Sequence, residues 1–422
     1  MDFDVVVIGA GPAGIFAAGR AAARGAKTLL VEKNPSLGKK LLITGKGRCN
    51  LTNSGDIKDF ISSYNNGKFL YQAFGSFFNQ DLINFFEDRG VGTKAERGGR
   101  IFPLSDESGD VLKVLGGYLE EAGVTTMFSE RAAHILVESG SGGRAAVCGV
   151  KLAVSGQIIK SPGVVVATGG FSYPGTGSTG DGYKMAKELG HNITPLLPAL
   201  VPLVTKEKFV RDLSGLSLKN VEVTAFVDGE KYFFEFGEML FTHFGVSGPV
   251  ILSLSGAAAG YLAEKKKVVI SINFKPGLDR EKLNARLLRE LDSSGLKTAS
   301  NIMKTLLPQS LIPVFLGIAG IDPQKKGSQI TREERETIYK LLRDFRLEIS
   351  ATRNFDEAII TRGGVALKEI DPRTMESKII SGLYFCGEVI DVDGLTGGFN
   401  LQAAFSTGYL AGGSAAALSR SG

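Results

Sequence analysis

At 422 residues the chain exceeds what one hydrophobic core supports, about 250–300 residues, so two or three domains are expected. A hydrophobic content of 43% against 22% charged residues excludes extensive disorder, and a net charge of +5 dispersed over 49 basic and 44 acidic residues leaves no nucleic-acid footprint. Cys49, Cys148 and Cys386 show neither C-x-x-C nor metal spacing, which excludes a disulfide framework or zinc site and fits a reducing, cytoplasmic setting.

In chain order, Val5 to Ile8 is wholly apolar, as a parallel strand covered on both faces requires, and it stops at Gly9. No basic segment or small-residue cleavage site precedes it, so a secretory leader is not expected. Pro12 to Arg24 predicts a small-residue helix ended by Gly25, and Thr28 to Val31 a second buried strand leading into Glu32. From Asp56 to about Glu130 the pattern is mixed. It holds an aromatic helical stretch (Phe74, Phe77, Phe78, Phe85, Phe86), a helix over Val111 to Gly123 and a strand over Val124 to Phe128. A hairpin is expected across Gly140 to Gly143, then a buried strand, Val164 to Ala167, running into Thr168-Gly169-Gly170.

Near Ile193 the style changes. Pro195, Pro198 and Pro202 interrupt it, and strands such as Val221 to Val227 and Lys231 to Phe236 alternate apolar and polar residues, the mark of antiparallel sheet with one wet face. Pro249 to Ala263 falls short of the ~20 residues of a membrane span and carries Ser253 and Ser255, so a buried helix is expected there. Glu281 to Leu291 and Arg332 to Arg343 are the clearest further helices. From Ile359 the first style returns with Gly363-Gly364, a strand over Leu383 to Cys386, a glycine cluster and a long small-residue helix, Phe399 to Leu418. The expected organisation is a Rossmann-like α/β domain in two parts, 1–193 and 354–422, around an insertion, 194–353. The insertion is β-rich over 194–275 and about 344–353, and helical over 276–343.

Gly9-Ala10-Gly11-Pro12-Ala13-Gly14 is the G-x-G-x-x-G fingerprint, placed between a strand and a helix as its mechanism requires. Gly9 permits the turn, Gly11 lets a pyrophosphate approach the backbone, and Gly14 allows close packing. Glu32 ends the second strand where an acid should accept ribose hydroxyls, and its charge disfavours a 2′-phosphate. Gly175 to Gly180 repeats the glycine spacing without the adjoining strand or acid. It reads as a loop beside the ligand, and no second nicotinamide domain is visible. The late return of the chain favours FAD over NAD. Gly387-Glu388 could place a carboxylate on ribityl hydroxyls, and the N–H groups of a helix starting at Gly397-Gly398-Phe399-Asn400-Leu401 could stabilise charge on a reduced isoalloxazine.

Four segments, Gly38 to Asn53 (GKKLLITGKGRCNLTN), Phe241 to Pro249 (FTHFGVSGP), Thr361 to Val365 (TRGGV) and Gly394 to Gln402 (GLTGGFNLQ), resemble the BaiN-like NAD(P)/FAD-dependent oxidoreductases from end to end. The resemblance implies a glutathione-reductase-like FAD domain interrupted by an insertion with a β-barrel-like part and a small helical part. The activity named for that family is reduction of carbon–carbon double bonds in oxo-bile acids. The cofactor contacts expected from motif and resemblance together are Gly9, Gly11, Pro12, Ala13, Gly14, Glu32 and Lys33, then Lys40, Thr44, Gly45, Arg48, Cys49 and Asn50. Thr168, Gly169 and Gly170 follow, with Gly387, Glu388, Gly398, Phe399, Asn400 and Leu401 from the C-terminal part.

For catalysis the candidates are His243 as proton donor, Arg362 to position a carboxylate or carbonyl, and Arg48 to bind pyrophosphate or an anionic substrate. Each has a plainer alternative: a structural histidine, an ion pair, a loop cap. Cys49 lacks a neighbouring cysteine, so packing is favoured over redox work. The expected function is a flavin reductase that passes hydride from NADH or NADPH, through flavin N5, to an activated double bond of a small organic acceptor. No nucleic-acid or membrane partner, and no metal, is expected; the oligomeric state is left open. A non-catalytic, flavin-holding regulatory or RNA-interacting protein is the alternative, and an NAD-linked dehydrogenase the third.

Overall fold

The computed structural model describes residues 2–140, 143–293 and 296–418. The chain divides into two compact units, Met1–Leu197 with Ala358–Gly422, and Pro198–Glu357, boundaries a few residues beyond the expected 194–353.

The first unit is built on a five-stranded parallel sheet in the order Leu383–Phe385, Gly163–Val166, Val5–Ile8, Thr28–Val31, Thr125–Met127. Every residue of the four strands from Leu383–Phe385 to Thr28–Val31 is buried, which is why they read as unbroken apolar runs. The fingerprint helix, Pro12–Ala23, packs on the C-terminal helix, Phe399–Leu418. A Cβ on Gly408 would lie 2.2 Å from the Ala13 carbonyl oxygen and one on Gly412 2.1 Å from that of Ala17, so this crossing needs glycine. The expected aromatic helix is broken into Tyr71–Ser76 and Asn79–Glu87, because Phe77 and Phe78 between them are extended. Its rings still serve the core: Phe16 meets Phe405 at 4.6 Å and Phe77 at 5.2 Å.

A three-stranded antiparallel layer, Ala132–Ser139, Ala145–Leu152 and Ile158–Lys160, packs against the sheet strand Gly163–Val166. Its first two strands flank the hairpin expected across Gly140 to Gly143, whose tip at 141 and 142 lies outside the described residues. A small sheet of Thr52–Asn53, Arg100–Pro103 and Thr93–Glu96, absent from the sequence reading, holds the segment that follows Gly38.

The second unit is a closed six-stranded antiparallel barrel, in the order Leu203–Thr205, Gly245–Ser247, Glu230–Phe241, Ser217–Val227, Val268–Asn273, Phe345–Thr352. Alternation appears as expected over Val221 to Val227, with Val221, Val223 and Ala225 buried and Glu222 and Thr224 half-buried. Over Lys231 to Phe236, however, its apolar side is the wet one, Phe234 and Phe236 being exposed and Glu235 half-buried. Pro249–Ala263 is the expected buried helix, adding Val250, Ile251 and Leu254 to the barrel core. The helical part includes Arg280–Ser293, Ile312–Ala319 and Arg332–Arg343. The last of these starts in a capping box: Thr331 Oγ1 accepts from Glu334 N at 3.2 Å, and Glu334 Oε2 accepts from Thr331 N at 2.8 Å. Among the described residues no helix is long and apolar enough to cross a membrane.

Candidate functional site

The three fingerprint glycines are glycine for different reasons. Gly9, at φ +101°, could not carry a Cβ, which would lie 2.6 Å from the Ala167 carbonyl oxygen, and a Cβ on Gly14 would lie 1.8 Å from that of Gly9. Gly11 has an ordinary φ of −80° and nothing within 4 Å of its Cβ position. Packing within the protein therefore does not require glycine there, whereas a ligand lying against the backbone does. Pro12 opens the helix, no side chain caps its free N–H groups, and no acid stands in its first turn, so those donors remain for a phosphate. The cradle fits the pyrophosphate of FAD.

Glu32, 8% exposed, closes the second strand with its carboxylate fixed: Oε2 accepts from Ala10 N at 2.7 Å, and Oε1 from Asn34 N and Nδ2 at 2.7 and 2.8 Å. Lys33 Nζ donates to Thr179 Oγ1 and Asp181 Oδ2 at 2.5 and 2.7 Å, while Asn34 Nδ2 donates to the Thr176 carbonyl at 3.1 Å. The second glycine-spaced segment, Gly175 to Gly180, is thus fastened to the strand end that carries Glu32.

Four distant segments meet at Glu388. Its Oε2 accepts from Lys40 Nζ at 2.8 Å, and its Oε1 from Ser172 Oγ at 2.9 Å and Thr361 N at 2.8 Å. Gly170 lies against this cluster, where a Cβ would come within 2.5 Å of Thr361 Oγ1 and 2.8 Å of Glu388 Oε1. Gly169 and Gly387, at φ +72° and +74°, turn the chain on either side, and Gly387 N donates to Thr407 Oγ1 at 3.0 Å. Any ribityl contact by Glu388 must therefore share its carboxylate with Lys40. The Thr168 hydroxyl is buried without a hydrogen-bond partner, the kind of orphan a bound ligand satisfies.

Gly45, Lys46, Gly47 and Cys49 all have left-handed backbones, and the Thr44 carbonyl accepts from Cys49 N at 3.1 Å, which folds this loop back on itself. With its amide turned to suit its neighbours, Asn50 accepts from Gly398 N at 2.9 Å, tying the loop to the start of the C-terminal helix. Gly398 is pressed against Thr52, whose carbonyl oxygen would be 2.2 Å from a Cβ. Asn400 clasps the preceding turn, accepting from Gly394 N and donating to Gly394 O, both at 2.9 Å. Tyr64 OH donates to the Phe399 carbonyl at 2.6 Å, and Leu401 packs on the core of the first unit.

Arg48 departs from expectation. Its guanidinium donates to Glu96 Oε1 at 2.7 Å and Asp106 Oδ1 at 3.3 Å and lies 4.0 Å over the Phe102 ring, so it ties the loop to the small sheet instead of standing open to an anion. Cys49 is fully buried, and burial pushes its thiol up to about 12, which removes the thiolate that redox work requires. His243 lies in the second unit, exposed on the turn between Glu230–Phe241 and Gly245–Ser247, its ring 4.9 Å from that of Phe244. Arg362 ends the strand Ile360–Arg362, and its charge acts on Asp391 and Asp393. Neither carboxyl was singled out in the sequence; the only signal was an Asp-x-Asp pair just before the last glycine cluster. Among the described residues no group of three or more His, Cys, Asp or Glu could hold a metal.

The HI0933-like protein Rossmann domain family matches residues 3–414. The chain belongs to the HI0933-like family. Members of this family are FAD-dependent flavoproteins, and this HI0933-like chain is a flavin-dependent oxidoreductase. It is 32% identical over 414 residues to the 3-dehydro-bile acid delta(4,6)-reductase of Clostridium scindens, covering 97% of this chain and 98% of that one. It is 29% identical over 407 residues to the ribosomal RNA dihydrouridine synthase of Escherichia coli, covering 96% of each. Among solved structures, 3-ketosteroid delta1-dehydrogenase from Sterolibacterium denitrificans superposes with a TM-score of 0.53 at 13% identity, covering 99% of each chain, which shows shared fold.

Proposed function

We propose that the protein is an FAD-dependent reductase acting on a carbon–carbon double bond conjugated to a carbonyl. The observation that carries this reading is the open space in front of Gly11 beside an uncapped helix N-terminus, where dinucleotide phosphates bind without displacing protein. Glu32 would hold the adenosine ribose. Lys40 with Glu388 and the Thr168 hydroxyl would meet the middle of the cofactor, and the Gly398–Leu401 helix start, braced by Asn50, the isoalloxazine end. When bound, FAD supplies two-electron hydride chemistry, with NADH or NADPH as the donor. The protein orients the partners and excludes water.

The names of the relatives support this acceptor class: a 3-dehydro-bile acid double bond and the ring double bond of uridine both lie next to a carbonyl. A small organic acceptor in a cytoplasmic setting is the first reading. Uridine in RNA is the rival, favoured by the near-complete coverage of the Escherichia coli relative. Purified protein should be yellow and should bleach anaerobically with NADH or NADPH. It should then recolour with an α,β-unsaturated ketone; recolouring only with uridine-containing RNA would move the assignment to the rival. Protein that stays colourless after reconstitution with FAD refutes both.

A further inference from the structure

At the other end of the fingerprint helix from Gly11, a cavity of about 540 Å³ opens between elements from both ends of the chain. Arg20 and Arg24 reach it from the last turn and cap of Pro12–Ala23, Tyr409 and Ser414 from Phe399–Leu418, and Tyr384 from Leu383–Phe385. Arg20 stands about 12 Å along the helix axis from Pro12, so the cavity is separate from the pyrophosphate cradle.

Hydrogen bonding around this cavity is one-sided. The Arg20 guanidinium lies 4.2 Å over the Tyr409 ring, which is itself stacked on Phe77 at 4.8 Å, and its Nε is enclosed. The two terminal nitrogens are not enclosed, and among the described residues they donate to nothing and pair with no acid. The phenols of Tyr384 and Tyr409 are likewise open and without a hydrogen bond among the described residues. Burial pushes the Tyr384 phenol up, so it keeps its proton.

The acceptors close by are already taken. Glu376, also on the wall, accepts from Gly382 N at 2.9 Å and lies 3.6 Å from Arg144 Nη2. Arg24 Nη1 donates to the Gly413 carbonyl at 3.4 Å, and Ser414 Oγ to the Leu410 carbonyl at 2.9 Å. Arg20 and the two phenols thus face the open space with protons to give and no protein oxygen bonded to them. A guest that brings acceptor oxygens and negative charge supplies what is missing, whereas an apolar or cationic guest leaves the guanidinium unpaired. Its contact with the Tyr409 ring fixes the guanidinium before anything binds.

We propose that this cavity binds a small oxyanion, a carboxylate or phosphate group, on the terminal nitrogens of Arg20, with the phenols of Tyr384 and Tyr409 as further donors. The site goes beyond the flavin reaction and does not depend on it. Arg20 belongs to the N-terminal part of the domain, and Tyr384 and Tyr409 to the C-terminal part. The anion therefore binds only when the two parts are together, and by mass action it stabilises their pairing.

The test is calorimetric titration of flavin-loaded protein, whose pyrophosphate cradle is filled, with sodium phosphate and separately with sodium benzoate, at an ionic strength held constant with chloride. At least one probe should bind saturably, one per chain, with a Kd of about 1 mM or lower, and the tighter of the two tells phosphate from carboxylate. Arg20→Gln should weaken that binding at least about tenfold while flavin absorbance per chain stays at the parent value. Ser76→Trp, which sets a bulky ring at an exposed position on the cavity wall, should weaken it as well. A parent that binds neither probe saturably, or an Arg20→Gln protein of parental affinity, overturns the proposal. If Arg20→Gln does not fold, Ser76→Trp decides in its place, and unchanged affinity there refutes the site. A parent that holds no FAD sinks the flavin reading alone, because anion bound in the empty Gly11 cradle is untouched by Arg20→Gln and the comparison stands.

Discussion

Gly11 and Gly14, three residues apart, are predicted to fail in opposite ways. A Cβ on Gly14 meets a backbone oxygen at 1.8 Å whether or not cofactor is present, so Gly14→Ala should destabilise the flavin-free protein by about 1–3 kcal/mol and lower its Tm. Gly11→Ala meets nothing until a ligand arrives, so the flavin-free stability should stay within about 0.5 kcal/mol of the parent while FAD affinity falls at least about tenfold. Equal flavin affinity in Gly11→Ala and parent, measured by fluorescence titration, would remove the pyrophosphate from this cradle. Arg48 gives a second contrast at this scale. Its bonds to Glu96 and Asp106 assign it to the loop, so Arg48→Ala should lower Tm by a few degrees and leave flavin content per chain unchanged. The glycines were legible in the sequence because their spacing is local and strand and helix flank it. The fate of Arg48 was not, because its partners stand 48 and 58 residues later, on strands and turns too short and too exposed to mark themselves.

Elements that are buried on both faces announced themselves, since Val5–Ile8, Thr28–Val31 and Gly163–Val166 have no wet face to interrupt their apolar run. The long C-terminal helix, Phe399–Leu418, was legible from its small residues for the same reason. The small sheet of Thr52–Asn53, Thr93–Glu96 and Arg100–Pro103 was silent, being short, and half-exposed over Thr93–Glu96. So was the bond pattern that locks the antiparallel layer in place. There, burial alone would raise Glu130, but Val154 N at 2.8 Å and Ser155 N and Arg131 N at 3.0 Å outweigh it and hold its carboxyl at about 2. The folded value lies below the unfolded one, about 4.3, so this contribution is complete above that pH and fades as pH falls from there toward 2. Glu130→Gln should therefore lower stability by about 1–3 kcal/mol at pH 7, and the gap between the two melting curves should close below about pH 4. A gap of constant size down to pH 3 would mean that the carboxylate is not what those N–H groups require.

At the scale of the molecule, the parallel sheet is completed only when the last strand, Leu383–Phe385, reaches Gly163–Val166, long after the barrel unit has been made. That return was legible, because the glycine-punctuated apolar style stops near Ile193 and resumes at Ile359. Closure of the barrel was expected from the family resemblance alone and not from the residue pattern, since it depends on Leu203–Thr205 pairing with Phe345–Thr352, a match between distant three- and eight-residue segments. On the proposed reading the two ends of the chain, and not its continuity, are the requirement for holding flavin. A protease site placed at the exposed Asp228-Gly229 hairpin tip cuts the chain inside the second unit, where the ladder between Ser217–Val227 and Glu230–Phe241 continues to hold the cut ends. The cut protein should co-elute as one species with its flavin. A chain that stops at Glu357 loses only its C-terminal part, yet it uncovers the edge of Gly163–Val166 and the face of Pro12–Ala23 on which Gly408 and Gly412 rest. It should aggregate or emerge colourless. The ratio of flavin absorbance to protein after size-exclusion chromatography separates the two cases, and a yellow truncated chain would show that the cofactor is held by the N-terminal part alone.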